Sequence, residues 1–357
     1  NRKSIMDIVT QGLLGSTVGL ASYGKKLGRR AAVYGFIIGL LPDFDIIAGY
    51  WGPWASLKYH RGPTHAILAL LLLAVPVGLA CRALARSDAP KRDWIGLALL
   101  SLITHPIIDW FTAYGTSLAW PLSDARYAID ALPILDPVYS LPLLLATFIG
   151  LTGWLTPGKV RSIAIITLAA TTVYAGLGWN TSQILINRGR ELFRAQGFEA
   201  VEIRAMPTLL NTVVYRVVGR DASDRFMITY LKKASKAPLT PVITVEPDRD
   251  EFVTRALEHE HGRLFKWFSM NMLQPQSIAL PDGGHKVVLN DMRYGMFLEP
   301  AKALFAAEAH FDKNGTLTGF TRVQNHRSVS MKQELNATLA HVFDGTPDAT
   351  PAAYGDQ

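Results

Sequence analysis

The sequence predicts an all-α polytopic membrane domain of about six membrane segments, followed by a small α+β extramembrane domain. Three observations carry this. Apolar runs such as Leu68–Leu73 and Leu141–Ile149 recur through the first half of the chain and stop near residue 186. Lys and Arg collect in alternate loops between those runs. Beyond residue 187 the pattern changes to short β-branched stretches separated by turn residues. Charge is correspondingly scarce, 18% of the 357 residues, where soluble domains carry about 25%.

About 20 apolar residues of helix cross a bilayer. The first segment, 7–23, is Gly-rich and weakly apolar, and the second, 31–50, contains Asp43 and Asp45. The third is 66–81, and the fourth, 94–113, contains His105 and Asp109. The fifth and sixth are 138–156 and 163–186. Segments that recur to 186 do not fit a cleaved signal peptide. The expected division is a helical membrane domain with a metal site at 1–186, an extramembrane domain at 187–343 and a mobile end at 344–357.

Lys25, Lys26, Arg29 and Arg30 follow the first segment, Arg82, Arg86, Lys91 and Arg92 the third, and Lys159 and Arg161 the fifth. The opposite loops hold only Lys58, Arg61 and Arg126. By the positive-inside rule the basic loops are cytoplasmic, and the chain after 187 lies on the periplasmic or extracellular side. The net charge of +7 is then largely a topology signal, and no nucleic-acid partner is expected. Cys81 is the single cysteine, so no disulfide forms within the chain.

In the second half, β-branched alternation within 199–231, as at 212–218 and 226–230, predicts strands joined by a turn at Asp221–Asp224. Residues 248–268 read as a helix. Further strands are expected at 286–290, 294–298, 304–312 and 317–323, with Asp312-Lys313-Asn314-Gly315 as a hairpin turn. A last helix is expected at 330–343. His259 and His261 read as a surface pair, since nothing of metal-site spacing accompanies them.

Four separated stretches bring polar groups to one predicted depth near the outer face. They are Asp7 with Gln11, Asp43 with Asp45, His60 with His65, and His105 with Asp109. His105 and Asp109 share a helical face at a spacing of four. Pro106 kinks or starts that helix, and Pro42 favours irregular backbone before Asp43. Intramembrane carboxylates are costly unless paired or bound to a cation. Imidazole and carboxylate together suit Zn²⁺, Mn²⁺ or Fe²⁺. So many candidate ligands allow one ion or two, and a two-metal pair suits phosphoester hydrolysis.

The same residues carry a family pattern. Met6-Asp7-Ile8-Val9-Thr10-Gln11 resembles MDxxTQ or MDxxTH, and Pro42-Asp43-Phe44-Asp45 resembles PDxD. His60-Arg61-Gly62-Pro63-Thr64-His65 resembles HRGxTHS, with Ala66 where Ser is usual, and Thr104-His105 through Asp109, Thr112, Tyr114, Gly115 and Thr116 resembles THxxxDxxTxYGT. Trp120-Pro121-Leu122-Ser123-Asp124 and Asp136-Pro137 continue it. The ordered set resembles the YdjM-like membrane-bound metal-dependent hydrolases. The resemblance implies an inner-membrane location and Asp7, Asp43, Asp45, His60, His65, His105 and Asp109 as metal-site residues. Gln11 stands where other members carry His.

The leading expectation is a membrane hydrolase using zinc, manganese or iron, one or two ions, on a phosphoester of a lipid or lipid-linked substrate. Arg61 and Arg126 are its candidate phosphate contacts, and Asp43, Asp45 or Asp109 its general base. A metal- or proton-coupled transporter is the alternative, marked by a midplane site and paired repeats, neither of which is visible. A non-catalytic membrane scaffold with a closed structural metal is the third reading.

Overall fold

The computed structural model describes residues 4–324 and 329–343, with side chains from residue 8 onward except at 324. The expected mobile end, 344–357, lies outside the described residues. The chain divides into two compact units, 1–179 and 180–357.

The first unit is helical. Its elements are α1 (Ser4–Leu27), α2 (Arg29–Leu40), a 3-10 stretch (Leu41–Trp51), α3 (Pro53–Tyr59), a 3-10 turn (Pro63–His65), α4 (Ile67–Leu84), α5 (Lys91–Trp110), α6 (Pro137–Thr152) and α7 (Pro157–Arg194), which runs on into the second unit. Among the described residues, three helical stretches are long and apolar enough to cross a membrane: Arg29–Trp51, Ile67–Leu84 and Pro157–Arg194. α6 is a shorter apolar helix.

α1 and α2 meet through glycines. A Cβ on Gly15 would collide with the Gly35 carbonyl, one on Gly35 with the Gly15 carbonyl, and one on Gly39 would come 2.8 Å from the Gln11 carbonyl. Small residues four apart let two membrane helices approach to backbone contact. The Gly content of the first segment is therefore a packing surface. α2 gives way to 3-10 geometry at Leu41-Pro42, where the proline lacks the N–H that an α-helix would use. Pro106, by contrast, lies inside α5 and starts nothing. Asp136 begins α6 by accepting from the backbone N–H of Val138 and Tyr139 at 2.9 and 3.2 Å.

The second unit holds two four-stranded antiparallel meanders. In one, β1 (Ala200–Pro207), β2 (Val214–Asp221), β3 (Phe226–Lys232) and β4 (Ile243–Val245) pair in order, with Val217 opposite Thr229. In the other, β5 (Leu273–Ala279), β6 (His285–Asp291), β7 (Phe305–Phe311) and β8 (Leu317–Gln324) pair in order, with Val288 opposite Glu308. Gly315, at φ +76°, closes the β7–β8 turn. Polar residues and Pro275 hid β5, whose position at a sheet edge tolerates the proline.

Two expectations in this unit change. The helix expected over 248–268 is two helices, α8 (Glu251–Glu258) and α9 (Glu260–Phe268). His259 is extended between them and caps α9 by accepting from the His261 N–H. Residues 294–298 form no strand; Gly295 makes only an isolated bridge to Ala303. The reason is tertiary: the Glu334 carboxylate, from α10 (Met331–Phe343), accepts the N–H groups of Phe297 and Leu298 that a strand would spend on a ladder.

Candidate metal centre

The break between α2 and the 3-10 stretch brings Asp43 and Asp45 inward, while Phe44 between them is 60% exposed. The Pro63–His65 turn delivers His65, and α5 delivers His105 and Asp109 from one face. Four atoms converge. His65 Nε2 and His105 Nε2 are 3.1 Å apart. Asp109 Oδ2 lies 3.2 Å from His65 Nε2 and 3.6 Å from His105 Nε2. Asp43 Oδ1 lies 3.5 Å from each.

Both imidazoles turn lone pairs to this point. His105 Nδ1 donates to the Gly39 carbonyl at 2.6 Å. His65 Nδ1 faces Asp45 Oδ2 at 3.2 Å and Thr64 Oγ1 at 3.0 Å. Thr64 has already given its hydroxyl proton to Asp45, at 2.7 Å, so the Nδ1–H of His65 is the remaining donor. A neutral imidazole protonated on Nδ1 presents Nε2 as a ligand, the carboxylate–histidine arrangement typical of metal sites. Asp109 Oδ2 is buried and accepts no hydrogen bond. Two imidazole nitrogens with carboxylate oxygens of Asp43 and Asp109 beside them make a site able to hold a cation.

The spacing fits an ion. Donors held about 2.0–2.1 Å from a tetrahedral metal lie about 3.3–3.4 Å from one another. Asp43, His65 and His105 accordingly form one group able to hold a metal. Asp43, Asp45 and His60 form another, in which His60 Nδ1 meets Asp45 Oδ1 at 2.8 Å. The donor set is mixed nitrogen and oxygen without thiolate, which suits Zn²⁺, Mn²⁺ or Fe²⁺.

The remaining sequence-expected residues divide. Arg61 is buried, with φ +57°, and its Nη2 lies 3.2 Å from Asp109 Oδ1 while Nη1 donates to Thr112 Oγ1 at 2.9 Å. Its backbone N–H donates to Asp45 Oδ2 at 3.0 Å. Arg126 is buried too and donates to the Gly115 carbonyl. The Tyr114 ring lies 4.9 Å from the Arg61 guanidinium carbon and 5.2 Å from that of Arg126. Asp7 belongs to α1, but its side chain lies outside the described residues. His259, Glu260 and His261 also come within ligand reach of one another. There, however, His259 Nδ1 is occupied as the α9 cap.

Gln11 joins the centre without being a ligand. Its Nε2 donates to Asp109 Oδ1 at 2.6 Å. Thr64, Gly39 and Thr112 likewise hold ligands in place, and none was singled out as a site residue from sequence. Their only signal is proximity to the His and Asp motifs, which does not say which atom they meet.

A family model described as YdjM inner membrane protein matches residues 6–184, half of the chain and all of the metal-centre residues above. The chain is also similar to the Bacillus subtilis (strain 168) protein YfhP, described as uncharacterized, with 30% identity over 115 residues. That match covers 31% of this chain and 34% of YfhP, about a third of each. No solved structure matches. The chain belongs to the YdjM inner membrane protein family.

Proposed function

We propose that this protein is a metal-dependent hydrolase of the inner membrane that cleaves a phosphoester of a lipid or lipid-linked substrate at the outer membrane face. The observation that carries the reading is the meeting of Asp43 Oδ1, His65 Nε2 and His105 Nε2 within 3.1–3.5 Å of one another, with Asp109 Oδ2 at 3.2 and 3.6 Å from the two imidazole nitrogens. In this reading those four groups hold a divalent ion, best matched by zinc. The ion would supply Lewis acidity to hydrolysis of a phosphate ester.

The chain's own residues then divide the work. Asp45 fixes the His65 ring and pairs with His60, whose side chain is 21% exposed, more than Asp43 or Asp45. The His60–Asp45 pair is placed to take a proton at the accessible side of the centre, and Asp45 is the carboxylate the four-atom set leaves over for that role. Three carboxylates, Asp43, Asp45 and the buried Asp109, stand against two buried guanidiniums, Arg61 and Arg126. A divalent ion reverses the sign of that balance and makes the pocket complementary to phosphate. Arg61 and Arg126 are the proposed phosphate-facing cations, braced by the Tyr114 ring.

The six helices α1, α2 with its 3-10 extension, α4, α5, α6 and α7 are read as six membrane segments. Basic loops lie in the cytoplasm and the 180–357 unit on the outer side. Tyr50 and Trp51, 90% and 74% exposed at the end of the 3-10 stretch, suit the membrane–water boundary. A site beside that boundary meets a lipid headgroup.

The test is a hydrolysis screen of phospholipids, lipid-linked phosphates and soluble phosphomonoesters with detergent-purified protein. Turnover is expected with a lipid-borne phosphoester, lost on chelation, restored by Zn²⁺ or Mn²⁺, and abolished by Asp43→Ala or His105→Ala. Turnover that survives chelation and both substitutions rejects the mechanism.

A further inference from the structure

The Gln11 amide is satisfied on one side only. Its Nε2 must face Asp109, because a carboxylate that takes the Arg61 guanidinium has no proton to give. Its Oε1 therefore points away, is buried, and accepts no hydrogen bond. Gln11 as a whole is 3% exposed. A buried carbonyl oxygen without a donor carries its full desolvation cost, which native structures rarely leave uncompensated.

Gln11 lines a cavity of about 20 Å³, together with Thr10, Asp109, Thr112, Asp136 and Ser140. That is room for one water-sized group. The polar wall is otherwise paired within itself. Thr10 Oγ1 and Ser140 Oγ share a hydrogen bond of 2.8 Å, and Thr112 Oγ1 donates to the Asp109 carbonyl at 2.8 Å. The Asp136 carboxylate accepts from Val138, Tyr139 and the Tyr174 hydroxyl. None of these donors reaches Gln11 Oε1.

We propose that this cavity is a binding site for a single hydroxyl group, which donates to Gln11 Oε1 beside the metal centre. The hydroxyl comes from water or from the polyol part of the substrate's headgroup. A guest there would keep the amide carbonyl engaged and so hold the Gln11 NH₂ on Asp109. A substrate hydroxyl there would make Gln11 a reader of the alcohol adjoining the scissile phosphate. This second role rests on the hydrolase reading above; the site itself does not.

Two measurements decide it on the full chain. The first is a structure in lipid nanodiscs at a resolution that shows ordered water, without substrate. A density peak within hydrogen-bond distance of Gln11 Oε1 establishes the site with water as its occupant, whether or not metal is present. The second is titration calorimetry of metal-loaded protein with sn-glycerol 3-phosphate and with inorganic phosphate. Wild-type protein is expected to prefer the glycerol ester by about tenfold, the worth of one buried hydrogen bond. Gln11→Leu, and Ile134→Phe, which fills the cavity from its apolar wall, should each erase that preference. Such a loss assigns the site to a substrate hydroxyl. An empty cavity together with equal affinities in all three proteins overturns the proposal. Failure to bind metal counts against the hydrolase reading and leaves the density result to decide this one.

Discussion

His105 Nδ1 donates to the carbonyl oxygen of Gly39 at 2.6 Å, and through that one bond the α1–α2 glycine packing sets the tautomer of a candidate metal ligand. A carbonyl can only accept, so the proton is on Nδ1 and Nε2 keeps its lone pair. Gly39 can approach because it has no Cβ to meet the backbone of α1. Helix packing and ligand chemistry are thus the same fact at this position.

Metal content is the first expected outcome. Protein purified without chelator should hold at least one divalent transition metal per chain by elemental analysis. His65→Ala and Asp109→Ala each remove one corner of the four-atom set, and both should lower stoichiometry to well below one. Wild-type protein free of stoichiometric metal would end the metal-centre reading.

Asp45 separates orientation from ligation. Asp45→Asn keeps the size of the side chain but replaces a carboxylate that accepts from His65, His60, Thr64 and the Arg61 backbone. Metal affinity by chelator competition should fall about 10–100-fold, the usual effect of losing a group that orients a ligand. His60→Ala should leave an ion at the four-atom centre. If His60→Ala strips all metal while Asp45→Asn strips none, the roles drawn here are reversed.

Topology is read by cysteine labelling on a Cys81→Ala background. Asp88 and Ser223 are both exposed, Asp88 in the basic loop after α4 and Ser223 in the β2–β3 turn. An impermeant thiol reagent applied to intact cells should modify Ser223→Cys and spare Asp88→Cys. The opposite pattern would put the basic loops outside.

Glu334 gives a pH-dependent test in the second unit. Burial pushes its carboxyl above the usual range, although the Phe297 and Leu298 N–H groups partly offset this. A folded-state pKa above the unfolded one gives stability that is full at low pH and lost as pH rises through the folded value. Glu334→Gln keeps an acceptor without the charge. It should therefore match or exceed wild-type thermal stability at pH 7, with the difference shrinking as pH falls through the carboxylate range. Glu334→Ala removes the acceptor, should cost about 1–3 kcal/mol, and should speed hydrogen exchange at Phe297 and Leu298. Unchanged exchange there would remove Glu334 as the reason 294–298 is not a strand.

By itself the sequence determined which stretches are apolar, which loops are basic and which residue types could bind a metal. These are properties of neighbours in the chain: hydropathy, charge alternation, and motifs such as Pro42-Asp43-Phe44-Asp45. The β-branched runs of β2 and β3 were legible for the same reason. Tertiary structure alone decided how the six candidate ligands with described side chains divide. Asp43 and Asp109 each meet the His65–His105 pair, whereas Asp45 and His60 meet each other beside it. It also decided that Gln11 serves Asp109 and that Arg61 lies against the same carboxylate. It likewise decided that Glu334 takes the N–H groups of 297 and 298, and that His259 ends one helix to cap the next. Each of these depends on a distance between segments far apart in the chain. Such distances are set by how closely backbones pack, as at Gly15, Gly35 and Gly39, and no local pattern encodes them.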